Sequence, residues 1–195
     1  MRILDLGCGS GCDLAPWGVT LKDEVTGLDI DGASLRIAKK RFSKRTYLQG
    51  SGERLPFVDE AFDRVISAVA LPYMNVPQAL GEIRRVLVPG GRLSLTLHLP
   101  GFTMNELLDH ALPRPVPTLF RLYVLTNGLL FHCTGRTVGF LKRRTESCQT
   151  ERGMRLALGR ARFVDLSFSR AKAPVGEMFL VEARRPESVS SLAAA

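Results

Sequence analysis

The sequence predicts an α/β protein: a doubly wound, mostly parallel sheet of seven strands that ends in an antiparallel hairpin. Three observations predict it. Ile3-Leu4-Asp5-Leu6 is a short apolar run followed at once by Gly7-Cys8-Gly9-Ser10-Gly11, which reads as a buried parallel strand and the tight turn after it. Val25-Thr26-Gly27-Leu28-Asp29-Ile30-Asp31 is a second apolar strand that reaches an acid about 20 residues after the first glycine, and a helical pattern follows it. Phe163–Ser169 and Glu177–Arg184 read as a strand and its antiparallel partner, joined by the turn Ala173-Pro174-Val175-Gly176. At 195 residues the chain is long enough to bury a full core. We expect one domain over residues 1–185, with an insert at 100–148 and a tail at 186–195.

The remaining elements follow in order. Residues 12–20 should hold a first helix, kept short by Pro16 and Gly18. From Ala33 to Ser43, Leu35, Ile37, Ala38 and Phe42 recur at helical spacing, with Asp31 placed to cap them. Tyr47–Gln49 and Ala61–Val69 are the third and fourth strands. Ala79–Val88 is an amphipathic helix stopped by Pro89, Gly90 and Gly91, and Leu93–Leu99 alternates as the fifth strand. Past Pro100 the pattern loosens. Pro113, Pro115 and Pro117 predict a rigid, non-helical start to the insert. A helical stretch rich in Leu, Phe and Tyr follows, and Thr150–Ala161 is a further helix.

Composition is ordinary, with 45% hydrophobic and 24% charged residues. The net charge of +8 raises the possibility of RNA or an anionic membrane as partner. The basic residues are scattered, however, with no arginine-rich block interleaved with aromatics, so no nucleic-acid partner is expected. Residues 119–133 are apolar but short and contain Arg121, so no membrane span is expected. Cys8, Cys12, Cys133 and Cys148 form no C-x-x-C pair and read as reduced thiols of a cytoplasmic protein, with no metal site.

The chemistry begins at the glycine turn. Glycine reaches positive φ without a Cβ clash and lets a ligand lie directly on the backbone, where free N–H groups can meet it. A dinucleotide fingerprint wants G-x-G-x-x-G; here the third glycine comes one residue early, at Gly11, and Cys12 stands in its place. Asp29 occupies the strand-end position that grips a ribose diol, through charge-assisted hydrogen bonds about twice as strong as neutral ones.

An acid two residues before G-x-G-x-G, here Asp5 before Gly7, resembles motif I of the class I S-adenosylmethionine-dependent methyltransferases. Gly27–Asp31 with Ser34, Leu35 and Ala38 resembles that family's second strand and helix. Gly50-Ser51-Gly52-Glu53-Arg54-Leu55-Pro56-Phe57 resembles its G-D-A-x-x-L-P-F loop, with Ser51 in place of the acid. Phe62-Asp63 opens the fourth strand as in the family, and Glu82–Gly91 matches its E-x-x-R-V-L-x-P-G-G. The resemblance covers residues 3–99 and, more loosely, 150–185, and extends to the small-molecule enzymes of the ubiquinone and menaquinone type.

That resemblance implies a Rossmann-like methyltransferase fold. It implies S-adenosylmethionine as cofactor, held by Asp5, Gly7, Cys8, Gly9, Asp29, Ile30, Gly52, Glu53 and Ala68, and a small-molecule acceptor. Relatives carry one or two helices before the first strand; only Met1 and Arg2 precede it here, which leaves a minimal form, a mis-placed start or a fragment open. Pro72 and Tyr73 stand where small-molecule relatives carry two histidines. Methyl transfer from a sulfonium needs mainly alignment, and a base only when the acceptor must lose its proton. The catalytic candidates are Tyr73 and His98; His110 and His132 lie in the insert. The insert is expected to be the substrate lid, and a homodimer is possible. Methylation of RNA, a non-catalytic cofactor-binding subunit and a nicotinamide dehydrogenase are the alternatives.

Overall fold

The computed structural model describes residues 1–12, 14–98, 115–139, 145–173 and 176–187. Seven strands form one sheet in the order β3-β2-β1-β4-β5-β7-β6. They are β1 (Arg2–Leu6), β2 (Glu24–Asp29), β3 (Thr46–Gln49), β4 (Phe62–Ala68), β5 (Leu87–His98), β6 (Val164–Ala173) and β7 (Gly176–Arg184). β1 through β5 pair in parallel, and β7 runs antiparallel to both β5 and β6. β1 is central because it is apolar on both faces: Ile3, Leu4 and Leu6 are fully buried. β2 and β3 lie to one side of it and β4 and β5 to the other. This reversal of strand order opens a crevice above the carboxyl ends of β1 and β4.

The two faces are covered unequally. On one, Leu4, Leu6, Val65, Leu93, Leu95 and Leu97 pack with α2 (Val76–Val86), α3 (Pro115–Thr134) and α4 (Glu151–Arg160). α2 supplies Val76, Ala79, Leu80, Ile83 and Val86, all fully buried, at the spacing of one helical stripe. Phe131 of α3 meets α4 at Gly153, where an added Cβ would stand 2.5 Å from the Phe131 ring. On the other face Ile3, Val25 and Ile66 form a small cluster with Leu14, Cys12, Trp17 and Val19. Farther along that face the strands carry polar groups. Arg64 donates to Ser94 Oγ at 2.9 and 2.6 Å, and Ser94 donates to Glu182 at 2.9 Å.

Several expectations are met closely. α1 runs Gly32–Arg41, and Asp31 caps it, accepting from the Ala33 and Ser34 amides. Others are corrected. The expected helix within 12–20 is only a three-residue 3-10 turn, Ala15–Trp17, because Pro16 lies in its first turn and Gly18 turns left-handed at φ 73°. α2 stops at Val86, before Pro89 rather than at it. The chain is already extended at Leu87, so β5 starts six residues earlier than alternation suggests. Pro115 and Pro117 open α3 instead of breaking it, since the first helical turn has no partners for its N–H groups. Pro113, with the rest of 99–114, lies outside the described residues, as do 188–195 of the expected tail.

Ile83 is fully buried beneath α2, so Ile83→Ala should cost about 2–5 kcal/mol. The urea midpoint, at unchanged slope, measures it; a cost below 1 kcal/mol is incompatible with this packing.

Candidate functional site

The glycine turn is held from within the protein. Gly7, Gly9 and Gly11 all have positive φ, at 72°, 50° and 82°. The Gly7 and Cys8 amides donate to the Leu28 carbonyl at 2.7 and 3.2 Å, and the Gly9 amide donates to Asp29 Oδ2 at 2.7 Å. The Gly7, Cys8 and Gly9 amides of this loop are therefore already engaged within the protein. Asp29 Oδ1 accepts from the Asp31 amide at 2.8 Å. One carboxylate thus ties the first glycine loop to the end of β2, a structural role that spacing alone did not reveal.

Gly7 also permits a close approach. An added Cβ would lie 2.1 Å from the Cβ of Ala70. Ala70 is brought there by a sharp turn after β4, in which Val69, a β-branched residue, takes φ 62°. The Val69 amide donates to the Thr96 carbonyl at 2.8 Å, which fastens the turn to β5. Leu71–Tyr73 then form a short 3-10 turn that delivers Tyr73 and Met74 above the sheet edge.

A third wall comes from residues 50–53 after β3. Glu53 accepts from the Asn75 amide at 2.7 Å, and Gln78 Nε2 donates to the Glu53 carbonyl at 3.0 Å. Farther along, Glu82 accepts from the Leu55 amide, and Arg85 donates to Glu82, Asp59 and the carbonyls of Phe57 and Leu55. The hydrogen bonds to Arg85 hold the Glu82 carboxyl below its ordinary range. The E-x-x-R pair, read from sequence as scaffold, is the staple that sets this loop on α2.

Together these elements enclose a cleft of about 770 Å³. Its walls are Gly7; Leu28, Asp29 and Ile30; Gly50, Ser51, Gly52 and Glu53; Ala70, Tyr73 and Met74; and Phe120, Thr145 and Glu146. Six of the expected site residues, Gly7, Asp29, Ile30, Gly52, Glu53 and Tyr73, thus line one cavity. Asp5, Cys8 and Gly9 belong to the strand and turn beneath it. Ala68 pairs with Thr96 at the end of β4, and His98 lies opposite Met178 at the end of β5; neither forms part of the cleft wall. His132 accepts or donates at Thr150 Oγ1, 2.9 Å away, as a helix-to-helix contact. His110 lies outside the described residues.

Sequence reasoning missed Thr145 and Glu146, and placed Phe120 only within the apolar insert. Glu146 pairs with Arg121 at 3.2 Å, and its carbonyl accepts from Asn127 Nδ2 at 2.8 Å. The Ser147 amide donates to the Pro72 carbonyl at 3.2 Å, joining this segment to the turn that carries Tyr73. A signal existed: Glu146 is the one acid between Asp109 and Glu151.

Charge in the cleft opposes that of the chain. Its walls hold three carboxylates, Asp29, Glu53 and Glu146, and among the described residues no Lys, Arg or His. Beneath it Asp5 is buried, which pushes its carboxyl up to about 6; Arg45 lowers it and Asp29 raises it further. Burial, with Asp5 and Asp29 adding to it, pushes the Cys8 thiol up to about 12, so Cys8 stays a thiol and is no nucleophile.

Comparisons with known proteins agree with this architecture. Residues 4–95 match the family model described as Methyltransferase domain. A malonyl-[acyl-carrier protein] O-methyltransferase of Erwinia pyrifoliae is 39% identical over 94 residues, 48% of this chain and 36% of that protein. A 2-phytyl-1,4-naphtoquinone methyltransferase of Synechocystis is 40% identical over 111 residues, 51% of this chain and 46% of that protein. The chain thus spans less than half the length of these curated relatives. In three dimensions it is similar to a crystal structure of an S-adenosylmethionine-dependent methyltransferase from Methanosarcina mazei, with TM-score 0.64 and 21% identity, covering 96% of this chain and 93% of that one.

The raised Asp5 carboxyl has a consequence for stability. Folded Asp5 keeps its proton up to about pH 6, whereas the unfolded group loses it near 3.8. Its contribution is therefore full below pH 3.8 and is lost as the pH rises through 6, about 3 kcal/mol in all. Thermal melts from pH 4 to 7 should show Asp5→Asn with a flatter stability profile than the wild type. Parallel profiles would show that Asp5 is not the titrating group.

Proposed function

With residues 4–95 assigned to the methyltransferase-domain family, and the resemblance to class I S-adenosylmethionine-dependent methyltransferases borne out by sequence and fold, we propose that the chain transfers a methyl group from S-adenosylmethionine to a small, neutral, lipophilic acceptor. The observation that carries this reading is the acidic cleft over the glycine turn, in a chain of net charge +8.

The residues fit the group. Asp29 has lone pairs left after accepting from Gly9 and Asp31, and two ribose hydroxyls can donate to them. Ile30 is 72% exposed beside that carboxylate, an apolar surface ready to cover a flat base. Ser51 and the Gly52–Glu53 backbone offer the base edge neutral partners where the family places a carboxylate. When bound, the cofactor would supply an electrophilic sulfonium methyl carbon; the acceptor's bond to that carbon would form in line as the carbon–sulfur bond breaks, and the neutral thioether would leave.

The chain's own task is then to attract, align and exclude water. Asp29 and Glu53, with Glu146 offset by its pair with Arg121, make the cleft favourable to a cation and unfavourable to a phosphate chain, which argues against RNA as acceptor. Tyr73, Phe120 and Met74 form an apolar side wall against which an aromatic acceptor can be oriented. Orientation of this kind can supply about 7–11 kcal/mol. The acceptor named for the Synechocystis relative, a naphthoquinone with a phytyl tail, has the chemistry such a wall would suit. On this reading the described part of the insert, α3 with residues 145–148, governs which acceptor enters.

Two measurements test the proposal. Titration calorimetry should show S-adenosylhomocysteine binding, weakened roughly tenfold or more in Asp29→Asn, the cost of hydrogen bonds to a charged group being about 1.5–3 kcal/mol. Melting curves of the unliganded variant separate that effect from loosening of the glycine turn. Transfer of labelled methyl from S-adenosylmethionine to a reduced naphthoquinone, but not to transfer RNA, is expected. Absence of cofactor binding by the folded chain would overturn the reading.

A further inference from the structure

The three acids of the cleft are not alike. Asp29 and Glu53 are held by backbone amides, which leave their charge in place. Glu146 enters the cleft wall with its charge already balanced: Arg121 Nη1 stands 3.2 Å from its Oε1, and the two side chains are only 24 and 20% exposed. A carboxylate has about four lone-pair sites, so one guanidinium contact does not exhaust it. The first two acids thus suit a cation, whereas the paired Glu146 suits a neutral hydrogen-bond donor.

Its backbone is fixed from both sides. The Glu146 carbonyl accepts from Asn127 Nδ2 at 2.8 Å, and its amide donates to the Tyr123 hydroxyl at 3.4 Å. That hydroxyl also accepts from Asn127 Nδ2 at 3.2 Å and donates to the Val138 carbonyl at 2.7 Å, while the Val138 amide donates to Asn127 Oδ1 at 2.9 Å. Asn127 is 4% exposed, so its amide is buried with both ends engaged. A satisfied buried network of this kind rigidifies what it holds, and here it holds one cleft residue in one place. The same segments set apolar rings near it. Phe120 precedes Arg121 on α3 and lines the cleft, and the bond from the Ser147 amide to the Pro72 carbonyl joins the segment to the turn that carries Tyr73.

We propose that Glu146 reads the acceptor: its carboxylate accepts a hydrogen bond from an O–H or N–H of the molecule to be methylated, whose ring lies against Phe120 and Tyr73. The acceptors of this class are neutral hydroxyarenes and N–H heteroaromatics. Asn127 is then a positioning residue that acts through Glu146. The use made of this selection rests on the methyl-transfer reading, but the selection itself is a binding property and is tested without turnover.

Naphthol against methoxynaphthalene, and indole against N-methylindole, are titrated by fluorescence into the chain with and without S-adenosylhomocysteine. The wild type should bind the donor of one pair about tenfold or more tighter than its methylated counterpart, and which pair does so tells O–H from N–H. Glu146→Met should erase that preference while keeping the affinity for the methylated counterpart. Arg121→Met removes the ion pair, leaves the carboxylate and should keep the preference, whereas a Glu146 that served only as a staple would make the two variants alike. Should Glu146→Met fail to fold, Glu146→Gln replaces it, and the preference should fall roughly threefold, since bonds to a neutral acceptor are about half as strong. No preference in the wild type, an unchanged preference in the folded Glu146 variant, or the same loss in Arg121→Met would each overturn the proposal. A Glu146-dependent preference in a chain that binds no cofactor would overturn the methyl-transfer reading and uphold Glu146 as the reader of a neutral donor.

Discussion

The Asp29 carboxylate holds the two halves of the crevice in register. It accepts from the Gly9 amide on one oxygen and the Asp31 amide on the other, so the turn after β1 and the end of β2 share one anion. Charge-assisted bonds of this kind are stronger than the backbone pairs they sit among. Asp31, freed by that arrangement to face forward, then caps α1. The glycine turn, the end of β2 and the start of α1 are therefore one unit, and any ligand that meets Asp29 meets all three.

On the other side of the crevice the controlling factor is strain. Ala70 can rest on Gly7 only because Val69 takes a left-handed backbone that β-branched residues avoid, at a cost on the order of 1–3 kcal/mol. The Val69–Thr96 hydrogen bond and the buried start of α2 hold the chain there. The loop after β3 is set by ionic contacts instead, through Glu53, Glu82 and Arg85. Each wall of the cleft thus has a different physical origin: an anion, a strained turn and a salt-bridged staple.

Much of this was legible in the sequence because it rests on local rules. Apolar runs bounded by glycine marked β1 and β2, and an acid before a helical pattern marked the Asp31 cap. Where the sequence misled, non-local or positional effects intervened. Pro115 and Pro117 are breakers inside a helix but acceptable in its first turn, and which applies depends on where the helix begins. His98 was placed by strand number alone, at the end of β5; it pairs there with Met178 and is not among the residues that line the cleft. Glu146, Thr145 and Phe120 reach the cleft through Asn127, Tyr123 and the Ser147–Pro72 bond, contacts between segments that no periodicity encodes.

The unequal cover of the sheet divides the cleft by local stability. The wall carried by the turn after β4 stands on the large core beneath α2 and α4. On the other side Leu28 of β2 still belongs to that core, but β3 beyond it is an edge strand with three of its four residues exposed. Segments with little buried contact open at lower free energy than the global transition. Amide hydrogens of β3, at the edge of the sheet, should therefore exchange sooner than those of β4 and β5, which lie inside it. A ligand that bridges the two would close the gap between them, so its grip would be felt most as added protection at the edge of the sheet.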